Sequence, residues 1–279
     1  MIDEQAFLET LVQAIDSNRL TLPTLPEVAI RVRNAVEREN STAKQVAEII
    51  ATDAALSARM LQVANSPLYR GRIPIDNLQL AVARLGVRLV RSLVVSIIMQ
   101  QIFQPTHDLL DKKFRQVWEE SVQIAGFSRI LAKDYTHLDN EQAMLGGLIH
   151  NIGALPVLSM AENYDELLEN PLELDRVLLA LSPHIGSRIL KQWDFPDSLV
   201  LVTEHFNDLT YSNGGPVDYA EIVLVARVQA LAGTSSGIDI SRWGEIPAFA
   251  KVGLEPEINI IDIEGVADDL QNIEVIFHA

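Results

Sequence analysis

A histidine followed by an asparagine, His150-Asn151 within "GGLIHNIGALPVL" (residues 146–158), is the place in this sequence where metal chemistry is most readily suspected. Imidazole nitrogens and side-chain oxygens both bind divalent metals. A catalytic metal held between helices is often bound by an adjacent His-Asp pair, whose carboxylate offsets the charge of the ion. Asn151 offers a neutral amide oxygen instead. The segment is therefore open to three interpretations: a working metal site, a damaged one, or a structure that keeps only the shape of such a site.

The sequence lacks the residues of several other kinds of site. It contains no cysteine, which excludes disulfides, thiolate nucleophiles and Cys-based zinc or iron-sulfur centres. "GGLIHNIG" lacks the strand and the lysine that a phosphate-binding loop requires. The sequence also has no nucleophile-elbow motif, without which no order of Ser, His and Asp indicates a catalytic triad. No cofactor is expected.

Helical periodicity extends along almost the whole chain, and strand-like alternation is scarce, which predicts an all-α fold. Asp53 and Asp76 are the predicted N-caps of two short helices, and Gly86 is predicted to end the second. The largely apolar "VRLVRSLVVSIIMQQIF" that follows is predicted to be a central, buried helix. Further helices are predicted at 114–135, 140–150, 172–181, 184–193, 197–206 and 217–232, with a break at "QPTHDLLD" (104–111) and a loop at "GTSSG" (233–237).

The charge of the chain is distributed unevenly. Its 279 residues carry a net charge of −16, of which residues 1–133 contribute +2 and residues 134–279 contribute −18. The negative total disfavours general nucleic-acid binding, because a phosphate backbone needs a positive surface. One short span of the first part is nevertheless rich in arginine: Arg70, Arg72, Arg84, Arg88 and Arg91. Two interpretations remain open for this span, a solvated surface of mixed charge and a site for an anion or an acidic partner.

Two segments bear on the location of the protein: the first residues and the longest aliphatic stretch. The first residues, "MIDEQAF", are acidic where a secretory signal is basic. The longest aliphatic stretch, "LVVSIIM" at 93–99, is far shorter than the ~20 residues that span a bilayer. We therefore predict a cytoplasmic protein that does not insert into a membrane.

Two blocks of motifs resemble a known family. The first block comprises "LPTLPEV" (22–28), "DAALSARMLQVANSPLY" (53–69) and "IDNLQLAVARLG" (75–86), and it resembles the HDOD family, the HD-related output domain of bacterial signalling proteins. The second block comprises "VWEESVQIA" (117–125), "GGLIHNIG", "HIGSRILKQWDFP" (184–196) and "IVLVARVQALA" (222–232), and it is similar to the HD phosphohydrolase core. The resemblance implies a multi-helix bundle with an N-terminal helical subdomain (1–106), an HD-like core (107–232) and a C-terminal tail (233–279) packed on the core.

The resemblance also implies what has become of the metal ligands. HD phosphohydrolases bind a divalent metal through a histidine, an adjacent His-Asp pair and a later aspartate. The matching positions here are Glu120, His150, Asn151 and Arg227. Only His150 is the residue type that the family uses as a ligand at its position. Arg227 places a permanent cation where a metal needs an anion. We therefore expect a vestigial site without a metal.

The residue pattern around Glu120 and Arg227 suggests how the vacated space is used. Glu120 shares a helical stripe with Val117 and Ile124, and Arg227 shares one with Val223. A buried charge is costly unless it is paired, so one hypothesis is that a Glu120–Arg227 ion pair fills the space of the lost metal. The alternative is that each long side chain reaches solvent separately.

Three histidines are candidates for a different metal site. In HD proteins that hydrolyse cyclic dinucleotides, positions matching His184 and His205 hold additional metals, and His150 completes a possible set. Against this, the usual doubled histidine is His205-Phe206 here, and no "GYP"-like motif follows. We expect these histidines to be structural, with His150 as a hydrogen-bonding residue of the core.

The favoured function is a non-catalytic signalling module that binds a signalling protein or a small signal molecule. Two alternatives stay open: a metal-dependent phosphohydrolase acting on a nucleotide or cyclic dinucleotide, and a nucleotide-binding sensor without turnover. The candidate partner-binding residues are Asn65, Ser66, Arg84, Arg88 and Arg91. The three arginines share one helical side if Gly86 does not break the helix, and "ANSPLY" is alternatively only a helix end whose polar side chains bond the backbone. The sequence leaves the oligomeric state open.

Overall fold

The protein is helical, as predicted: the residues that the computed structural model describes form fifteen α-helices and two short 3-10 helices, with no β-strand among them. The described residues are 3–17, 19–20, 22, 26–38, 41–102, 108–234 and 237–278. The α-helices are α1 (Glu4–Asp16), α2 (Glu27–Val36), α3 (Ala43–Ile50), α4 (Ala54–Ala64), α5 (Leu78–Leu85), α6 (Val87–Ile102), α7 (Asp108–Tyr135), α8 (Asn140–Ile149), α9 (Ala154–Ala161), α10 (Asp165–Leu168), α11 (Pro171–Gln192), α12 (Asp197–His205), α13 (Tyr219–Ala230), α14 (Pro247–Val252) and α15 (Val266–His278).

Close contacts divide the chain into two compact units. The core unit comprises Met1–Thr24 and Phe103–Ile260, and the second unit comprises Leu25–Ile102 and Ile261–Ala279. This division differs from the predicted boundaries at both ends of the chain. Helix α1 belongs to the core unit because it packs on α9 and α11. The tail is divided at residue 260, because Gln229 of α13 binds the backbone of Ile258 and Ile260 through its side-chain amide, which holds the first part of the tail on the core unit.

Helix α4 begins as predicted and α5 begins one residue later. Asp53 caps α4 by accepting hydrogen bonds from the backbone N–H groups of Ala55 and Leu56 at 2.9 and 3.0 Å. The cap of α5 is Asn77 rather than Asp76, because the Asn77 side chain accepts from the N–H of Leu80 at 3.1 Å. The prediction of Asp76 as the cap was therefore wrong by one position.

Gly86 ends α5 as predicted, with a φ of +82° that favours glycine. A new helix, α6, begins at the next residue. Arg84 therefore lies on α5, whereas Arg88 and Arg91 lie on α6. The condition for placing the three arginines on one helical side is not met, because the chain changes helix between them.

Helix α11 is continuous where two helices, 172–181 and 184–193, were predicted. Pro183 lies inside it and has no N–H to donate to the carbonyl of Leu179, four residues earlier. The side-chain amide of Asn207 donates to that carbonyl instead, at 2.7 Å. The missing hydrogen bond is thus supplied from outside the helix, which allows the helix to pass through the proline. Helix α7 likewise begins at Asp108 rather than at 114, and most of the predicted break at 104–111 lies outside the described residues.

The centre of the core unit is the packing of α8 and α13 on the long helix α7. Gly147 permits the approach of α8, because a Cβ atom added there would lie 2.6 Å from the Cα of Ala125 on α7. Side chains at the C-terminal end of α8 therefore lie against the middle of α7. Among the described residues, one segment, Asn140–Ala161, is long and apolar enough to cross a bilayer, and 83% of it is buried inside the protein. Its apolar side chains form part of the protein's own core.

Candidate functional site

The four predicted ligand positions lie around one small pocket of the core unit. Glu120 comes from α7, His150 and Asn151 from the turn after α8, and Arg227 from α13. The pocket encloses about 50 Å³. It is also lined by Lys113, Gln116, Val117, Asp175, Leu178, Leu179 and Phe206. The fold therefore brings together residues that are more than a hundred positions apart in the sequence.

His150 is a buried, neutral histidine. Its side chain is 2% exposed, and its Nδ1 lies 2.7 Å from the carbonyl oxygen of Gly147. Because a carbonyl only accepts, Nδ1 carries the proton, which leaves Nε2 as the lone-pair nitrogen. The pKa of His150 is lowered to about 3, mainly by burial and to a smaller extent by the positive charge of Arg227, while the hydrogen bond to Gly147 opposes the lowering. The imidazole is accordingly uncharged near neutral pH.

Arg227 and Glu120 attract each other without direct contact. The Arg227 guanidinium carbon lies 5.8 Å from the centre of the Phe206 ring. Burial lowers the pKa of Arg227, and the negative charge of Glu120 opposes that lowering. Oε1 of Glu120 accepts a hydrogen bond from Gln116 at 2.8 Å. Among the described residues, no hydrogen bond or ion pair within 4.0 Å joins Glu120 to Arg227, so the predicted ion pair is not formed.

Asn151 contributes an acceptor that no described residue satisfies. Its Oδ1 is buried and receives no hydrogen bond from the part of the chain that the structure describes. Beside it, Lys113 of α7 and Asp175 of α11 form an ion pair that also lines the pocket. Sequence reasoning missed Lys113 and Asp175, because nothing in the spacing of two residues on separate helices indicates that they meet.

The other two histidines do not share this pocket. His184 is exposed on α11, and the ring of His205 stacks on Tyr211 with 4.0 Å between centroids. The Nδ1 of His205 lies 3.6 Å from Asp208. Within the described ranges, no three His, Cys, Asp or Glu side chains lie where they could hold one metal ion. The possible three-histidine set is thus not assembled.

The predicted partner-binding residue Asn65 is instead a clamp within the second unit. Its amide nitrogen donates to the carbonyl of Ile75 at 2.7 Å and to that of Leu61 at 3.0 Å, and its oxygen accepts from the N–H of Ile75 at 2.8 Å. Ser66 is half-buried, and its hydroxyl oxygen has no partner among the described residues. The bonding of backbone by Asn65 favours the structural interpretation of "ANSPLY".

Arg84 has a similar internal role. Its two terminal nitrogens donate to the carbonyls of Ala64 and Ile73, at 3.4 and 3.2 Å. Arg88 is exposed and Arg91 is half-buried, both on α6. The segment "LPTLPEV" (22–28), which belongs to the first block of motifs, lies partly outside the described residues, at 23–25.

The comparison with known families now decides the assignment. The HDOD domain model matches residues 22–209, which is more than half of the chain. The protein belongs to the HDOD family. The match covers most of the second unit and the part of the core unit from α7 to α12. Arg227, on α13, lies beyond it.

Solved structures match the fold of this protein over nearly the whole chain. A protein of Shewanella amazonensis SB2B, provisionally named a metal-dependent phosphohydrolase, is 33% identical with a TM-score of 0.80, over 98% of this chain and 99% of that one. An HDOD domain protein of unknown function from Geobacter sulfurreducens is 18% identical with a TM-score of 0.69, over 99% of this chain and all of that one. The helical fold thus includes α13 and the tail.

A curated relative is longer than this HDOD protein. An uncharacterized protein of Treponema pallidum (strain Nichols) is 23% identical over an alignment of 216 residues, which covers 72% of this chain and 40% of that protein. The chain therefore spans less than half of the length of this relative.

Proposed function

We propose that this HDOD protein is a non-catalytic regulatory module that binds a protein partner, and that its own side chains have replaced the metal of the HD pocket. The observation that carries the proposal is the position of Arg227, whose guanidinium lies over Phe206 in the pocket shared with His150 and Glu120. A guanidinium is charged at every physiological pH and has no acceptor atom. It therefore opposes a divalent cation in the same space.

The remaining donors also fit a divalent metal poorly. Nδ1 of His150 donates a hydrogen bond to the carbonyl of Gly147, which leaves a single lone pair, at Nε2, for a metal. Asn151 offers a neutral oxygen, and the carboxylate of Glu120 is already bonded by Gln116. A hydrolytic metal centre needs several ligands together with negative charge, and it must lower the pKa of a bound water. We accordingly derive no catalytic step at this pocket.

The size of the pocket disfavours a small signal molecule at this position. Ligand sites usually enclose about 300–1,000 Å³, whereas this pocket encloses about 50 Å³. A nucleotide does not fit a space of that size without movement of the lining helices.

The absence of cysteine from the sequence is in keeping with a reducing compartment, so we place the module in the cytoplasm.

The second candidate is a metal-dependent phosphohydrolase with an unusual ligand set. It is favoured by one observation, the provisional name of the Shewanella protein that is 33% identical over nearly the whole chain. The two functions differ in what a reaction mixture would contain. Only the second yields product from a phosphoester substrate.

A hydrolysis assay separates the two candidates. Untagged protein is incubated with mononucleotides, cyclic dinucleotides and p-nitrophenyl phosphate, in the presence of manganese or iron(II). The proposal predicts rates no higher than those without protein. Turnover that His150→Ala abolishes and His184→Ala preserves would overturn it, because His184 is exposed and lies outside the pocket.

A further inference from the structure

The loop between α4 and α5 of the second unit presents apolar side chains to solvent. Ile73 in this loop is 75% exposed, and Leu80 in the first turns of α5 is 56% exposed. Single exposed hydrophobic residues are common on protein surfaces. Here two large ones occur seven residues apart, on a loop and on the helix that the loop enters. Sequence reasoning missed both, because their exposure depends on how the loop folds back.

The loop is held in one conformation by side chains behind it. Asn65 binds both backbone groups of Ile75, and Arg84 donates to the carbonyl of Ile73. Gly71 lies directly on the same guanidinium, since an added Cβ atom would be 2.9 Å from Nη2 of Arg84. A surface ordered before binding loses less conformational entropy when a partner docks. The clamp therefore prepares Ile73 for contact with another molecule.

Helix α5 and the loop meet at Arg84. Leu80 and Arg84 are four residues apart on α5, so they share one face of that helix. The Arg84 side chain reaches the carbonyl of Ile73 from that face. The face of α5 that carries Leu80 therefore adjoins the loop at the backbone of Ile73.

This surface is positively charged. Arg70 and Arg72 are exposed, and neither side chain makes a hydrogen bond or ion pair with any described residue. Residues 66–92 contain five arginines and a single acidic residue, Asp76. A cationic rim around apolar side chains complements an acidic segment that carries apolar residues. We define Arg70, Arg72, Ile73 and Leu80 as the loop surface.

From these observations we infer that the loop surface binds an acidic, amphipathic segment of a protein partner. This inference rests on the proposed function, and it names the surface through which that function operates. A short acidic segment interacts with the arginines within a screening length of about 8 Å at physiological salt. A nucleic acid or an anionic membrane extends over the whole molecule and meets its net charge of −16. The local charge and the total charge together favour the peptide.

Photo-crosslinking tests the inference in the cell that makes the protein. Benzoylphenylalanine replaces Ile73 in the full chain, and in a control chain it replaces Leu172, which is 82% exposed on the core unit. We expect a protein adduct at position 73, joined to a peptide of net negative charge that contains apolar residues. Adducts consisting of lipid or nucleic acid, or no adduct at all, would overturn the inference.

Charge reversal supplies the matched control. Arg70→Glu with Arg72→Glu is expected to lower the yield of the adduct about tenfold, because rim charges set the rate of encounter. Arg31→Glu with Arg38→Glu changes the same charge at two exposed positions of the same unit and is expected to change the yield less than about twofold. Equal yields from the two variants, both shown by circular dichroism to be folded, would contradict the inference.

Crosslinking and the hydrolysis assay together distinguish a failure of this inference from a failure of the proposed function. A protein adduct at position 172 with none at 73 would reject the loop surface and leave a protein-binding function in place. Hydrolytic turnover would reject the proposed function, whatever the pattern of adducts.

Discussion

The guanidinium of Arg227 lies over the ring of Phe206, with 5.8 Å between the guanidinium carbon and the ring centroid. The same ring meets the imidazole of His150 edge-on, at 4.9 Å between centroids and an interplanar angle of 76°. A permanent cation and a neutral histidine therefore share one aromatic neighbour in a pocket of about 50 Å³. A second positive charge in this space, on His150 or on a metal, is unfavourable.

The first prediction concerns the pH dependence of stability. The pKa of His150 is about 3 in the folded protein, mainly because of burial, and 6.5 in an unfolded chain. Between these values the unfolded state binds the extra proton, so the contribution of His150 is fully present above pH 6.5 and is lost as the pH falls toward 3. The free energy of unfolding should fall with a slope approaching about 1.4 kcal/mol per pH unit from this residue. Urea unfolding at about pH 7, 6 and 5 measures it.

Two variants isolate the contribution of His150. His150→Gln removes the titrating group, so the slope below about pH 6.5 should become shallower. His184→Gln removes an exposed histidine and should leave the slope unchanged. Equal slopes in the wild type and in His150→Gln would show that His150 is not held neutral by its surroundings.

The second prediction compares two adjacent glycines of α8. A Cβ atom at position 147 would lie 2.6 Å from the Cα of Ala125, whereas one at position 146 would meet only side chains, at 3.4 Å or more. Gly147→Ala is expected to destabilise the protein by about 1–3 kcal/mol through overpacking. Gly146→Ala should change stability by less than about 1 kcal/mol, since the better helix propensity of alanine offsets the tighter contact. Denaturant unfolding of the two variants checks this, and the reverse order would contradict the close approach of α8 to α7.

The third prediction concerns the clamp at Asn65. Asn65→Ala removes three hydrogen bonds and leaves the N–H and the carbonyl of Ile75 without their partner. The expected cost is about 1–3 kcal/mol, with faster hydrogen exchange at the amide of Ile75. Asn163→Ala is the control, because Asn163 makes one exposed side-chain bond, to the carbonyl of Met160. Unchanged exchange at Ile75 would mean that the loop is ordered by other contacts.

The sequence predicted the helical class and the family, because helical periodicity and ordered motifs are local properties. It failed where a partner from elsewhere in the chain decides the structure. The division of α11 into two helices followed from Pro183, and only the fold reveals that Asn207 supplies the donor that lets the helix continue. Similarly, the motif identified the four pocket positions, while the bond from Gln116 to Glu120 and the position of Arg227 over Phe206 depend on packing.

The partner-binding residues show the same limit. Asn65 lies in a family motif and Arg84 lies in an arginine-rich span, and these two patterns make both residues candidates for binding a partner. In the structure their hydrogen bonds go to the backbone of the loop, at Ile75 and Ile73. The side chains that the loop presents, Ile73 and Leu80, are apolar. A sequence pattern alone gives no reason to expect such residues in solvent.

The metal content of untagged protein directly tests whether Arg227 excludes a metal from the pocket. The protein is produced in medium containing manganese and iron, dialysed without chelator and analysed by mass spectrometry of the metals, beside the variant Glu120→His/Asn151→Asp/Arg227→Asp, which restores the HD ligand pattern. If Arg227 excludes the metal, the wild type should hold less than about 0.1 equivalent of metal and the variant should show a clear gain. About one equivalent retained by the wild type, and lost in His150→Ala, would contradict it.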